Sequence, residues 1–187
     1  MGTPAIISIV ILCVVVCAVF LFNTMVGRKN RVQFAFAGID TMLKKRFDLI
    51  PNLVSAVERY MKHEREVLDR LTTLRSQAVA GGMVTDDLVR MDNQLTATLR
   101  SVFAMAENYP ALRASESFLH LQGSLNETEE QISAARRAYN AAVTDYNNGC
   151  EQFPLNLAAR LLGYCQKQWF EIPDAERQAV SIREMWS

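Results

Sequence analysis

The sequence predicts an all-α protein: an N-terminal transmembrane helix followed by an antiparallel four-helix-type bundle with a long fourth helix. Three observations predict it. The first charged side chain is Arg28, after a long stretch without charge. Beyond it, apolar residues recur at helical spacing in nearly every segment. The links between those segments are short, which favours antiparallel neighbours. The expected division is an anchor at 1–27, a helical body at 28–170 and a tail at 171–187.

The anchor comes first. Ala5 to Phe22 holds one weakly polar residue, Ser8, and as a helix would be about 27 Å long, close to the thickness of a bilayer's hydrocarbon core. A helix satisfies its own backbone hydrogen bonds in lipid, so length and continuity outweigh the β-branched content of Ile6, Ile7, Ile9 and Val10. A cleaved signal peptide is the rival reading. It needs a basic residue ahead of the core and small residues before the cut, and here Phe20, Leu21 and Phe22 stand where small residues belong. The expectation is an uncleaved anchor. Arg28, Lys29 and Arg31 follow it, with Lys44, Lys45 and Arg46 further on, whereas the N-terminal flank carries only its α-amino group. The positive-inside tendency then predicts a short external N-terminus and a cytoplasmic body.

In the body, Val32, Phe36, Ile39, Leu43 and Phe47 share one face of a first helix, which no proline separates from the anchor. Asp48-Leu49-Ile50-Pro51 predicts a break, because proline disfavours helical geometry at the residue before it and suits the first turn of a new helix. A second helix is expected from there, with Val54, Val57, Met61, Leu68, Leu71 and Leu74 along a stripe and Gly81-Gly82 at its end. Thr85 or Asp86 is a suitable cap for a third helix carrying Leu88, Met91, Leu95, Leu99, Val102 and Ala106, broken at Tyr109-Pro110. The fourth has the cleanest pattern. Phe118, Leu121, Leu125, Thr128, Ile132, Ala135, Tyr139, Ala142 and Tyr146 alternate steps of three and four, a heptad seam predicted from Ser115 to about Asn148. Its Thr, Ala and Tyr positions suit a bundle better than a free coiled-coil dimer. Phe153-Pro154 ends it, Leu155 to Leu162 predicts a short further helix, and Trp169-Phe170 is placed as a cap on one end of the bundle.

Chemistry is sparse. His63-Glu64-Arg65-Glu66-Val67 lacks the second histidine of a zinc-protease helix. Glu116 and His120 are four apart, where the di-iron bundle motif needs a step of three, twice. Both histidines are expected as surface or boundary residues on helices. Cys13 and Cys17 sit in the apolar run; Cys150 and Cys165 have no Cys-x-x-Cys spacing. Formal charge is balanced, with 20 basic and 20 acidic residues, and no dense basic patch follows the juxtamembrane cluster, which excludes nucleic acid as an expected partner. The cluster is expected to meet anionic headgroups. Asp40, Asp48, Asn52, Asn140 and Asn147 lie beside apolar stretches and are expected as buried polar groups that cap helices or set register.

Three blocks in order carry a family resemblance. The first is Ile39-Asp40, Leu43-Lys44, Arg46 and Asp48-Leu49-Ile50-Pro51-Asn52-Leu53-Val54, continued by Val57, Tyr60, His63 and Glu64. The second runs from Glu107 and Tyr109-Pro110 through Phe118, Leu125, Thr128-Glu129, Ala135-Arg136 and Tyr139-Asn140 to Tyr146-Asn147. The third is Phe153-Pro154, Asn156-Leu157, Ala159 and Gly163. Together they resemble the LemA family from about Lys29 to Phe170. Departures fall at Ser115 and Ser117, where asparagines are usual, at Glu130-Gln131 in place of Asn-Arg, and at Gly149-Cys150 in place of bulkier residues.

The resemblance implies a bacterial, mostly single-span inner-membrane protein with a cytoplasmic helical bundle and no established enzymatic activity, some relatives being associated with membrane remodelling. The expected function is therefore a non-enzymatic scaffold or adaptor without cofactor, partnered by the lipid bilayer and by membrane or cytoplasmic proteins, a second copy of itself included. Asp48, Asn52, Trp169 and Phe170 form the candidate interaction surface, at a loop end and an aromatic tail segment. Two alternatives stand beside it: a metal-binding or enzymatic bundle using Glu64, Glu107, Glu116, Glu129 and Asp145, and a membrane-shaping oligomer.

Overall fold

The structure, a computed structural model, describes residues 2–80 and 85–170. All regular structure among them is helical: α1 Thr3–Val57, α2 Arg65–Val79, α3 Thr85–Ala106, α4 Pro110–Arg113, α5 Glu116–Glu151 and α6 Leu155–Leu161, with no strand. The expected glycine stop at Gly81-Gly82 and the tail from Pro173 lie outside the described residues, as do the side chains of the caps expected at Thr85 and Asp86.

The membrane segment and the first body helix are one element. α1 is 55 residues long and passes through Gly27 without a break. Its most apolar window has a mean hydropathy of 3.0 and is not buried at all, and it is the one helix among the described residues long and apolar enough to cross a membrane.

The predicted break at Asp48–Pro51 is not there. Pro51 sits inside α1, which continues to Val57. Proline removes one helical hydrogen bond, here to the Phe47 carbonyl, and crowds the preceding turn, at a cost of about 3 kcal/mol. Ile50, Leu53 and Val57 on either side are at most 1% exposed, so the burial of this stripe outweighs the proline. The helix ends instead where the Tyr60 and Met61 N–H groups both converge on the Val57 carbonyl, each at 2.9 Å.

Two compact units make up the chain. One comprises Met1–Asp40 and Ser133–Trp169. In it α1 and α5 run antiparallel: fully buried Met25 lies against Gly149, and the rings of Phe36 and Tyr139 are 6.0 Å apart. A Cβ on Gly149 would lie 3.0 Å from Met25 Sδ and 3.2 Å from Arg28 Nη1, so the missing side chain is what lets the helices approach here. α6 buries Ala158 and Ala159 and closes in a Schellman turn. Gly163, at φ 65°, donates to Arg160 O, and Tyr164 donates to Ala159 O.

The other unit centres on Thr41–Ile132. Leu43, Phe47, Ile50, Leu53 and Val57 of α1 are buried, as are Leu68, Leu71 and Leu74 of α2, Leu95, Leu99, Val102 and Ala106 of α3, and Phe118, Leu125 and Ile132 of α5. α2 packs on α3, and the Phe103 and Phe118 rings meet edge to face at 6.1 Å. α4 is a single turn begun by Pro110, whose absent N–H is an orphan at that position in any helix, and it buries Leu112. The seam predicted for the long helix is the one α5 buries, from Phe118 to Tyr146.

Candidate functional site

The residues expected to form an interaction surface are placed differently from one another. Asp48 and Asn52 are exposed one turn apart on α1, within the helix and not at a loop end. Trp169 is 54% exposed and its indole N–H donates to Thr144 Oγ1 at 3.0 Å. Phe170 is only 4% exposed and offers little surface to a partner. Of the five polar groups expected inside, Asp40, Asp48 and Asn52 are exposed, Asn140 is half-buried and Asn147 is buried. Asn147 grips one residue from both sides: its Nδ2 donates to Lys167 O and its Oδ1 accepts from Lys167 N, each at 2.9 Å.

His63 and His120 are exposed. Among the described residues no three of His, Cys, Asp and Glu are grouped so as to hold a metal ion. Two of the carboxylates considered for that role face arginines instead. Asp145 lies 3.3 Å from Arg28 and 3.5 Å from Arg31, where α1 emerges from its apolar run. In the same unit Lys29 stands 4.8 Å from the Tyr164 ring centroid and Lys167 6.0 Å from that of Tyr146. Burial raises the ionisation range of the Tyr146 phenol and of the Cys150 thiol, which share a hydrogen bond. Both groups are therefore neutral at ordinary pH.

Glu129 belongs to the most buried charged centre described. Arg46 on α1, 3% exposed, lies with Nη1 2.6 Å from Asp92 Oδ1 on α3 and 2.6 Å from Glu129 Oε2 on α5, and it donates to Thr96 Oγ1 at 3.0 Å. Asp92 is 1% exposed. Three helices of one unit are thereby tied at one guanidinium. The arginine keeps its proton, so the centre is a buried ion pair that links three helices. A search for apolar periodicity passes over it, yet the signal is in the sequence. Ile39, Leu43, Arg46, Ile50, Leu53 and Val57 step by four and three, as do Asp92, Leu95, Leu99, Val102 and Ala106. Each charge occupies a core position of its helix, and a buried charge requires a partner. Further along the unit, an open groove of about 880 Å³ runs between the end of α1 and α2, lined by Val54, Glu58, Arg59, Lys62, Arg65 and Asp69 among others.

This architecture, with its unbroken apolar-to-body helix and long heptad-seamed partner, has a family. The LemA family model matches residues 35–183, well over half of the chain. The chain belongs to the LemA family. The match runs on past Phe170 into the tail, further than the three sequence blocks reach. Among similar proteins is the LemA protein of Metamycoplasma hominis, 25% identical over 163 residues, covering 87% of this chain and 74% of that one. The magnetosome protein MamQ 2 of Paramagnetospirillum magneticum is 23% identical over 175 residues, covering 80% of this chain and 64% of its own length. The magnetosome protein MamQ of Magnetospirillum gryphiswaldense is 20% identical over 174 residues, with the same coverage, so the chain spans just under two thirds of these two relatives.

Proposed function

We propose that this LemA-family chain is a non-enzymatic scaffold or adaptor of the bacterial inner membrane, its short N-terminus outside and its helical body in the cytoplasm. The observation that carries the address is the apolar stretch of α1, none of whose most apolar window is buried, followed at once by Arg28, Lys29 and Arg31. The role as scaffold is supported by how the buried charges are used: Arg46 pairs with both Asp92 and Glu129 and so ties three helices at one point. The relatives named as magnetosome proteins add support for a structural role, without naming a partner for this chain.

Two separate exposed places are offered to a partner, Asp48 and Asn52 on α1 in one unit and Trp169 in the other; Phe170 drops out because it is buried. Affinity capture of the full chain from detergent-solubilised membranes is expected to return a specific protein, and Asp48→Ala/Asn52→Ala or Trp169→Ala to lose it by tenfold or more with an unchanged melting temperature. Recovery of the same protein with both variants removes these surfaces. A partner-free chain with measurable turnover removes the scaffold reading.

A further inference from the structure

α6 turns an apolar face outward. Leu157 and Leu161, one turn apart on α6, and Phe153 in the turn just before it are 49%, 77% and 79% exposed, while Ala158 and Ala159 are buried. A single exposed leucine is ordinary; three large apolar side chains together on one short segment are not.

The place of α6 along α1 says what covers this face. Gly149 of α5 lies against Met25 of α1, and the two helices are antiparallel. Glu151, the end of α5, therefore stands about 3 Å closer to the apolar run, level with Phe22 and Asn23. Leu21 and Phe22 are already half-buried, in contrast to nearly all of the run before them. At its other end α6 passes through the Schellman turn to Tyr164, whose ring centroid is 4.8 Å from Lys29 Nζ. α6 is thus held between the levels of Phe22 and Lys29, an interval of about 10 Å along α1. The headgroup layer just outside the hydrocarbon core has a similar depth, about 5–8 Å on each side. Arg160 is exposed beside the apolar stripe, and its long stem suits a charge carried at the phosphate level.

We propose that α6 is an interfacial lipid-binding helix. Phe153, Leu157 and Leu161 insert among the headgroups and upper acyl chains of the leaflet from which α1 emerges, with Arg160 and Lys29 facing the phosphates. The occupant is the protein's own bilayer, because the same unit that carries the face carries the membrane-spanning run and sets α6 at the level where that run ends. The proposal rests on reading that run as a membrane span.

The test uses the full chain with Trp169→Phe and Trp186→Phe, reconstituted in vesicles of phosphatidylethanolamine and phosphatidylglycerol, with and without bromines on the upper acyl chain. One tryptophan is then introduced, as Leu161→Trp or Phe153→Trp, or as Leu119→Trp for comparison. Leu119 is also on the surface, 53% exposed, and stands 32 residues before Glu151 in α5. All three positions are on the surface, and circular dichroism checks that each variant is folded. The expected result is flotation with the vesicles, blue-shifted emission, and bromolipid quenching of Leu161→Trp and Phe153→Trp several-fold above that of Leu119→Trp. Flotation with quenching no greater than that of Leu119→Trp overturns the proposal and leaves the span intact. Failure to float overturns the span and the proposal with it.

Discussion

At the scale of single residues, Arg46 is where the chain departs furthest from an apolar core. Its guanidinium and the Asp92 carboxylate sit at positions that a simpler bundle would fill with leucine. Removing one partner of such a pair strands the other charge, at a cost of about 3–5 kcal/mol, whereas replacing the pair with apolar residues of similar volume is often neutral or better. Arg46→Met is accordingly expected to lose about 3 kcal/mol of stability in chemical denaturation, and Asp92→Leu a similar amount. The double variant is expected to recover most of the loss, with Glu129, one third exposed at its side chain, able to reach water. Additive losses would show that the pair is not the unit. The pairing is legible from two charges in core register. The identity of the third member is not, because Glu129 flanks the α5 seam and nothing in its spacing marks it as facing inward.

At the scale of elements, burial decides against local rules where the two conflict. Pro51 marks a helix boundary by every local criterion, and the apolar stripe through Ile50, Leu53 and Val57 carries the helix across it. That stripe is itself visible in the sequence; what is missing there is its weight relative to the proline. The same misjudged break is what put Asp48 and Asn52 at a loop end. The long helix, by contrast, is read almost to its ends, since a heptad seam of that length fits no other structure. Glycines within helices separate two demands. A Cβ at Gly123 would meet nothing within 4 Å, so Gly123→Ala is expected to add about 0.5–1 kcal/mol by helix propensity alone. Gly149 faces Met25 and Arg28 at contact distance, and Gly149→Leu is expected to cost about 2 kcal/mol or more by forcing α1 and α5 apart. Thermal melts of the two variants should move in opposite directions. A rise in both would mean that the close approach at Gly149 does not contribute to stability, and a fall in both that Gly123 is not free to take a side chain.

At the scale of the whole molecule, two native thiols report where the body lies. Cys165 is exposed, while Cys150 is half-buried and burial holds its thiol protonated. Since the thiolate is the reactive form, Cys150 is expected to label slowly at neutral pH and faster as pH rises beyond the range of an ordinary thiol. Cys165 is the quick reporter. An impermeant maleimide is expected to leave Cys165 unmodified in intact cells and to modify it once they are permeabilised. Modification in intact cells would reverse the proposed orientation while leaving the span in place. Fold class and the apolar run are legible in the sequence because each rests on many residues acting together. Partner and chemistry are not, because they rest on a few exposed side chains whose spacing follows no period.

The absence of a joint between lipid and body in α1 has a geometrical consequence. A helix advances by about 100° per residue, so the azimuth of Arg28 and Asp145 about the axis is locked to that of the side chains in the apolar run. One alanine inserted after Asn23 would swing the two parts out of phase by nearly a third of a circle, whereas seven would bring them almost back into phase. In the proposed bilayer setting, neighbours alongside the apolar run therefore meet a fixed compass bearing, set by residue count alone.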